Sequence, residues 1–228
     1  MTYFIIFLLL VILLPAFCLS LALYQKKIHK NSYSFRSYFS YELFPARGEK
    51  FFLSLRIVEG LAFSVGFLPG LYGMLSLLQI DENSLFFLIA IMLVGFLPGL
   101  GQYFLSFIDL SFAKRHLILF FLIAASMILY TGMTGFYFVA VYRNNLEMVI
   151  NLLFAIFLFA ISLFVALLVI NPKITNWDKL EKTIDEKGKI SFRRPKRFVL
   201  PYSEWMMYFA SILANVIILI GLFMISIK

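Results

Sequence analysis

The feature that most constrains this chain is a series of long apolar stretches separated by shorter polar segments. A helix needs roughly 20 residues, at about 1.5 Å each, to cross a hydrocarbon core of about 30 Å. Six stretches reach that length. They predict an all-α, polytopic integral membrane protein with helices over residues 3–24, 57–80, 84–108, 116–142, 148–170 and 204–227.

The composition agrees with this prediction. The chain is 62% hydrophobic and 14% charged, whereas soluble domains are about 45–50% apolar and about 25% charged. An ordinary cytosolic enzyme, a disordered protein and a secreted disulfide scaffold are therefore excluded. The two longest polar segments, 25–50 and 171–203, are shorter than the roughly 40 residues that a chain needs to fold alone. We expect a single membrane domain over residues 1–228.

The distribution of basic residues predicts an orientation. Lys and Arg accumulate in loops that face the cytoplasm, and 18 of the 20 lie in the loops after the first, third and fifth predicted helices. This pattern predicts both termini outside (N-out, C-out), both long basic loops in the cytoplasm, and a multi-pass protein of the plasma (inner) membrane.

A dense basic run precedes the last predicted helix. We expect it to contact anionic lipid headgroups, which attract basic segments next to a membrane helix. Trp205 and Tyr208, at the same interface, are interpreted as an aromatic belt at headgroup depth. The residues of the run are Arg193, Arg194, Lys196 and Arg197.

An internal repeat lies in the second and third predicted helices. The seven residues 65–71 recur identically as residues 94–100, with the sequence VGFLPGL. Proline removes one backbone donor and clashes with the carbonyl four residues earlier. In lipid, a carbonyl freed in this way needs a protein partner or a water-lined cavity. We therefore predict that both helices are kinked or broken at Pro-Gly, near the middle of the membrane.

Two interpretations of the repeat stay open. Broken helices build substrate and ion sites in transporters, with helix N-termini directed at the ligand. In the other interpretation the prolines only kink the helices, and the glycines allow close packing between them. The candidate permeation residues of the first interpretation are Pro69, Gly70, Pro98, Gly99 and Gln102.

Two carboxylates close to the predicted basic side, Glu59 and Asp109, belong to the same candidate site. An ionisable residue within a membrane helix is a functional hypothesis by default. Glu59 is three residues from Arg56, so the two side chains share a helix face and can pair. The competing interpretation is a cluster near the interface that only sets the depth of the helices.

Small and polar residues in the fourth and sixth predicted helices indicate contacts between helices. Residues 131–135, with the sequence TGMTG, favour close helix packing. Asn215 is interpreted as a hydrogen-bonding residue between helices.

No cofactor is expected. Cys18 is the one cysteine, so no disulfide forms within the chain, and His29 and His116 lie far apart in the sequence. We find no spacing typical of a zinc or haem site.

The leading hypothesis for function is a small transport, permease or channel component with its site at the Pro-Gly repeat. The alternative is a non-catalytic structural or assembly subunit of a larger membrane complex. A lipid-modifying enzyme that uses Glu59, Asp109 or His116 is disfavoured, because the sequence lacks the motifs of phosphate and zinc-hydrolase chemistry. The expected partners are the lipid bilayer and either a second copy or another membrane subunit. Nucleic acid is not expected, because the basic residues flank membrane helices.

Overall fold

The computed structural model describes part of the chain, and every structural statement below concerns these residues. They comprise residues 5–6, 8–28, 33–43, 54, 57–58, 61, 82–105, 108, 113–144, 149–174, 181–184, 190–193 and 199–226.

The described chain is helical except for one small hairpin. A π-helical stretch, Leu8–Leu13, leads into the first α-helix. The α-helices are α1 (Leu14–Ile28), α2 (Ser40–Leu43), α3 (Glu82–Leu105), α4 (Ala113–Asn144), α5 (Val149–Ile170) and α6 (Val199–Ser226). A 3₁₀ turn, Pro172–Ile174, follows α5, and the hairpin strands are β1 (Glu181–Ile184) and β2 (Ile190–Arg193).

Among the described residues, α3 to α6 are each long and apolar enough to cross a membrane. The prediction of a helical multi-pass membrane protein is therefore confirmed, and these helices match the last four predicted stretches. Six crossings are not confirmed. The described part of the first stretch is a shorter apolar helix, Leu8–Tyr24, and 57–80 falls almost wholly outside the described residues. Orientation and membrane identity stay predictions.

Helix α4 occupies the centre of the bundle and packs against α3, α5 and α6, while α5 also packs against α6. Its buried side chains, including Phe120, Met127 and Phe138, recur at helical spacing along one side. Its other side carries exposed apolar residues, such as Leu122 and Phe136. This pattern is typical of a helix that contacts both protein and lipid.

The predicted close helix contact at residues 131–135 is confirmed between α4 and α5. A Cβ atom on Gly135 would lie 2.9 Å from Cε1 of Phe159, and one on Gly132 would lie 3.9 Å from Oγ of Ser162. Ser162 donates a hydrogen bond of 3.1 Å to the carbonyl of Ile128. Small residues thus let the two helices approach closely enough for a direct bond.

The predicted break at Pro98 and Gly99 is not confirmed, because α3 continues as one α-helix to Leu105. A membrane helix tolerates proline where its neighbours stabilise it, and here Gly101 lies so close to Ile123 of α4 that a Cβ atom would clash with that side chain. The second copy, with Pro69 and Gly70, lies outside the described residues.

The hairpin β1–β2 was not predicted from the sequence. The strands are antiparallel, with Glu181 opposite Arg193 and Ile184 opposite Ile190. They lie in the polar segment between α5 and α6. A two-stranded hairpin of this size is at best marginally stable by itself.

One end of the bundle, where α4 and α6 begin and α5 ends, carries exposed cations: Lys114, Arg115 and Lys173. We call it the basic end. There, residues 33–43, which we call the cap segment, pack on α6 through α2. Trp205 and Tyr208 form a cluster with Ala22 of α1 and Leu43 of α2. Both aromatic residues are buried by other parts of the chain, and their place in an aromatic belt at headgroup depth stays a prediction.

Candidate functional site at the basic end

The site forms near the beginnings of α4 and α6, at the basic end of the bundle. On α4, Lys114 and Arg115 are exposed, and the next residue, His116, is fully buried. On α6, Glu204 is also buried, with 1% of its surface exposed. The imidazole Nε2 of His116 lies 2.5 Å from Oε1 of Glu204. A histidine and a carboxylate, 88 positions apart in the sequence, therefore form a buried pair.

The hydrogen bond of the second ring nitrogen of His116 determines how many protons the pair holds. Nδ1 lies 2.8 Å from the carbonyl oxygen of Ile108. A carbonyl can only accept a hydrogen bond, so Nδ1 carries a hydrogen and donates it. One proton then lies between Nε2 and Oε1. When it is on the ring the pair is ionic, and when it is on Glu204 the pair is neutral.

The other carboxylate oxygen of Glu204 is buried and, within the described residues, has no hydrogen-bond partner. A buried polar atom without a partner costs free energy, and the cost is larger for a charged group. Within a membrane helix such a group most often marks a functional position. This oxygen is the atom of the pair that could bind a proton, a water molecule or a cation.

The cap segment covers the pair. The ring of Phe39 is fully buried and meets the imidazole of His116 edge to face, at a centroid distance of 5.2 Å. The Phe39 amide donates a hydrogen bond of 2.7 Å to Oε2 of Glu42, which fixes the first turn of α2. Glu42 is also close enough to Glu204 to interact with it electrostatically. The cap segment thus brings a second carboxylate towards the buried pair.

Trp205, the residue after Glu204, holds the cap segment in place. Its indole Nε1 donates to the hydroxyl of Tyr33 and to the carbonyl of Tyr38, both at 3.0 Å. The Tyr33 hydroxyl donates in turn to the carbonyl of Phe39, at 2.9 Å. The cap segment that carries Phe39 is therefore hydrogen-bonded to the residue that directly follows Glu204 in α6.

Two further polar contacts join α4 and α6 deeper in the bundle. Ser211 donates from Oγ to Sδ of Met127. Tyr130 donates to Oδ1 of Asn215 at 3.1 Å, and this confirms the predicted role of Asn215 between helices. Tyr130 lies 14 positions after His116, which is about 21 Å along the helix. We call this contact surface, from His116–Glu204 to Tyr130–Asn215, the α4–α6 seam.

Polar atoms continue towards the opposite end of the bundle. Asn151, in the first turn of α5, is fully buried. Within the described part of the chain, neither of its amide atoms has a hydrogen-bond partner, and the same holds for the hydroxyl of Tyr137. Buried polar atoms of this kind are usually satisfied by ordered water.

The sequence-predicted residues of the repeat that the structure describes are Pro98, Gly99 and Gln102. All are buried on α3, which packs against α4. Gln102 lies in the last turn of α3, three residues before Leu105.

The remaining predicted site residues are not brought together by the described structure. Arg193 is the last residue of β2. The others lie outside the described residues: Glu59, Pro69, Gly70, Asp109, Arg194, Lys196 and Arg197.

The buried pair was missed from the sequence. His116 was considered as a site residue only in the disfavoured enzyme hypothesis, and Glu204 was not among the candidate residues. The helical spacing of mostly apolar residues in both helices could have indicated that His116 and Glu204 are buried. His116 is in register with Phe120, Ile123 and Met127, and Glu204 with Met207, Ser211 and Ala214, and all of these are buried.

No group of three or more His, Cys, Asp and Glu side chains within the described ranges is arranged to hold a metal ion. No family model, curated protein or solved structure matches the chain. Its function is therefore inferred from the chemistry of the site.

Proposed function

We propose that this multi-pass membrane protein is a small transport component that moves protons and exchanges them at the His116–Glu204 pair. The observation that supports it is the pair itself, buried between two membrane helices. It shares one proton between Nε2 and Oε1 and leaves the second carboxylate oxygen without a partner among the described residues. A carboxylate and an imidazole in a membrane interior are the usual members of proton pathways.

The proposed exchange uses the two forms of the pair. With the shared proton on His116, Glu204 is an anion, and its Oε2 can accept a proton from water that enters beneath the cap segment. The imidazolium then gives its Nε2 proton to a water molecule of the proposed path, which leaves neutral His116 beside protonated Glu204. Movement of Phe39 away from the imidazole would open this end of the path.

Beyond the pair, the proposed path follows the polar groups of the α4–α6 seam and of α3. Pro98 cannot donate to the carbonyl of Val94, so this oxygen can bind water if a cavity reaches it. Gln102 lies one turn after Pro98 on α3 and belongs to the same proposed path. The other predicted permeation residues belong to the same proposal: Gly99, Pro69, Gly70, Glu59 and Asp109, of which Asp109 directly follows Ile108 in the sequence.

The alternative function, a structural or assembly subunit, is favoured by a different aspect of the same contacts. The His116 ring joins α4 to Glu204 of α6 and to the carbonyl of Ile108 after α3. In that case the pair is a structural cross-link, the membrane stays closed to protons, and the protein is expected to co-purify with a partner in mild detergent.

Proton movement is measured with the full chain reconstituted in liposomes that contain a pH-sensitive dye, driven by a potassium diffusion potential with valinomycin. We expect wild-type vesicles to take up protons faster than protein-free vesicles. Glu204→Gln keeps the size and hydrogen-bonding capacity of the side chain but cannot ionise. It should slow uptake by about 100-fold, the usual contribution of a positioned acid–base group.

Arg143→Gln is the matched control, because Arg143 is exposed at the end of α4 far from the pair. It should conduct at the wild-type rate, and circular dichroism should show equal helix content in all three proteins. Wild-type vesicles no faster than empty ones would reject proton transport. Glu204→Gln vesicles at the wild-type rate would show that the pair is not on the path.

A further inference from the structure

A second feature lies on the side of α6 that faces away from the seam. Four of its apolar residues recur at helical spacing: Met206, Phe209, Leu213 and Ile217. Together with residues of α5 they line a groove of about 370 Å³. The α5 residues are Phe157, Ala160, Ile161 and Phe164.

The groove exists because small side chains alternate with large ones. Ala160 on α5 and Ala210 on α6 leave space between the flanking rings of Phe157, Phe164 and Phe209. The two helices are in contact, so the space is a furrow along their junction. A furrow of this form fits a narrow, flexible, apolar chain better than it fits a helix.

The length of the groove is comparable to the thickness of one lipid leaflet. Ile217 lies 11 positions after Met206, which is about 17 Å along α6. One leaflet contributes about 15 Å to the hydrocarbon core. An acyl chain that enters from headgroup depth at the basic end would therefore lie along the groove.

Two residues with groups that bind phosphate, Tyr202 and Lys173, lie nearer the basic end than the groove does. Tyr202 lies one turn before Met206 on the same side of α6, with 40% of its surface exposed. Lys173 is exposed in the 3₁₀ turn after α5, and this turn packs against α6. A lysine ammonium and a phenol both donate hydrogen bonds to phosphate oxygens.

From these observations we propose that the groove between α5 and α6 binds one acyl chain of an anionic phospholipid, with the lipid phosphate at Lys173 and Tyr202. The lipid belongs to the leaflet at the basic end. This site shares no side chain with the His116–Glu204 pair, and the proposal does not depend on proton transport.

The test is native mass spectrometry of the full chain, released from nanodiscs that contain equal amounts of phosphatidylglycerol and phosphatidylcholine. We expect the wild-type protein to retain one phosphatidylglycerol with about fivefold preference over phosphatidylcholine, because one cation near the headgroups contributes about that factor. Lys173→Gln combined with Tyr202→Phe should remove the preference. Ala160→Trp, which fills the groove, should lower the retention of both lipids.

Two matched controls separate the site from general membrane properties. Lys114→Gln removes an exposed cation at the same end from α4, which does not line the groove. Ala125→Trp adds an indole at an exposed position of α4. Both should retain phosphatidylglycerol at the wild-type level.

Three results would overturn the proposal. Equal retention of the two lipids by the wild-type protein would remove the anionic preference. Retention unchanged by Ala160→Trp would remove the groove as the binding place. A dimer that Ala160→Trp dissociates would identify the occupant as a second copy of the chain instead of a lipid.

Discussion

Helix α6 presents two sides of opposite character to its neighbours. Towards α4 it presents Glu204, Ser211 and Asn215, and each of these makes a side-chain contact with a named residue across the seam. Towards α5 it presents Met206 and Leu213, together with other apolar residues, around an open groove. One helix thus makes specific side-chain contacts on one side and borders an open groove on the other.

The difference shows how a membrane helix selects its neighbour. Lipid is as apolar as leucine, so apolar surface alone gives no strong preference for protein over lipid. Hydrogen bonds between side chains provide that preference, and on α6 the ones described here lie on the seam side. The groove side is lined by apolar side chains, which leaves it open to a lipid chain.

The largest effect is expected from breaking the seam at its ionisable pair. His116→Leu leaves the buried carboxyl group of Glu204 without its partner. It should lower the free energy of unfolding by about 3–5 kcal/mol. The measurement is an SDS titration of the purified protein in mixed micelles, followed by circular dichroism.

The control for this prediction is the double variant His116→Leu with Glu204→Leu. Replacing both partners by apolar residues is often close to neutral, so most of the lost stability should return. Under the proposed function this stable variant still fails to move protons. A double variant as unstable as the single one would show that the pair is not the cause of the loss.

The second prediction compares the packing of the two sides. A Cβ atom on Gly221, beyond Asn215 on α6, would clash with the ring of Phe138 of α4 and would lie 3.2 Å from Cδ2 of Phe154 of α5. Gly221→Ala should therefore cost about 1–3 kcal/mol of unfolding free energy, as overpacking does. Ala160→Leu, at an exposed position in the groove, should change it by about 0.5 kcal/mol or less. Equal losses in the same SDS titration would show that the groove is as tightly packed as the seam.

A smaller, local effect is expected at the cap segment. Trp205→Phe keeps an aromatic ring but removes the donor to Tyr33 and Tyr38. Amide hydrogen exchange of residues 33–43 should rise about tenfold, which corresponds to the upper range for a typical hydrogen bond. Exchange in the centre of α4 should not change. Tyr202→Phe, an exposed position on the other side of α6, is the control. Unchanged exchange in the cap segment after Trp205→Phe would contradict the assigned role of the indole.

The smallest effect is expected at Tyr130 and Asn215. Hydrogen bonds between membrane helices contribute about 0.6 kcal/mol on average, so Tyr130→Phe should lower the free energy of unfolding by about that amount. A double-mutant cycle with Asn215→Leu measures the coupling between the two side chains directly. Strictly additive losses would mean that the contact makes no net contribution.

Some contacts between helices could be predicted from local sequence. The small residues at 131–135 predicted the close approach of α4 and α5, because small side chains allow it wherever such helices meet. Asn215 predicted a bond between helices, because a lone polar group in an apolar helix needs a partner. In neither case did the sequence identify that partner, since Phe159 and Tyr130 belong to other helices.

At other positions the environment depends on neighbours that the sequence does not identify. Tryptophan is a residue type common at headgroup depth, and here Trp205 is buried beneath the cap segment. Pro98 has the character of a helix breaker, yet α3 continues through it, with Gly101 packed closely on Ile123 of α4. Propensity describes an isolated helix, whereas the cost of a missing backbone bond depends on the packing around it.

By itself, the sequence determined that long apolar helices form a multi-pass bundle. In lipid, backbone polar groups must be hydrogen-bonded within helices, and this requirement holds wherever the helices lie. Only the tertiary structure decided that His116 meets Glu204, and that α6 has one side for α4 and another with a groove. The physical reason is that those contacts depend on the rotation and separation of helices far apart in the chain, which local spacing does not encode.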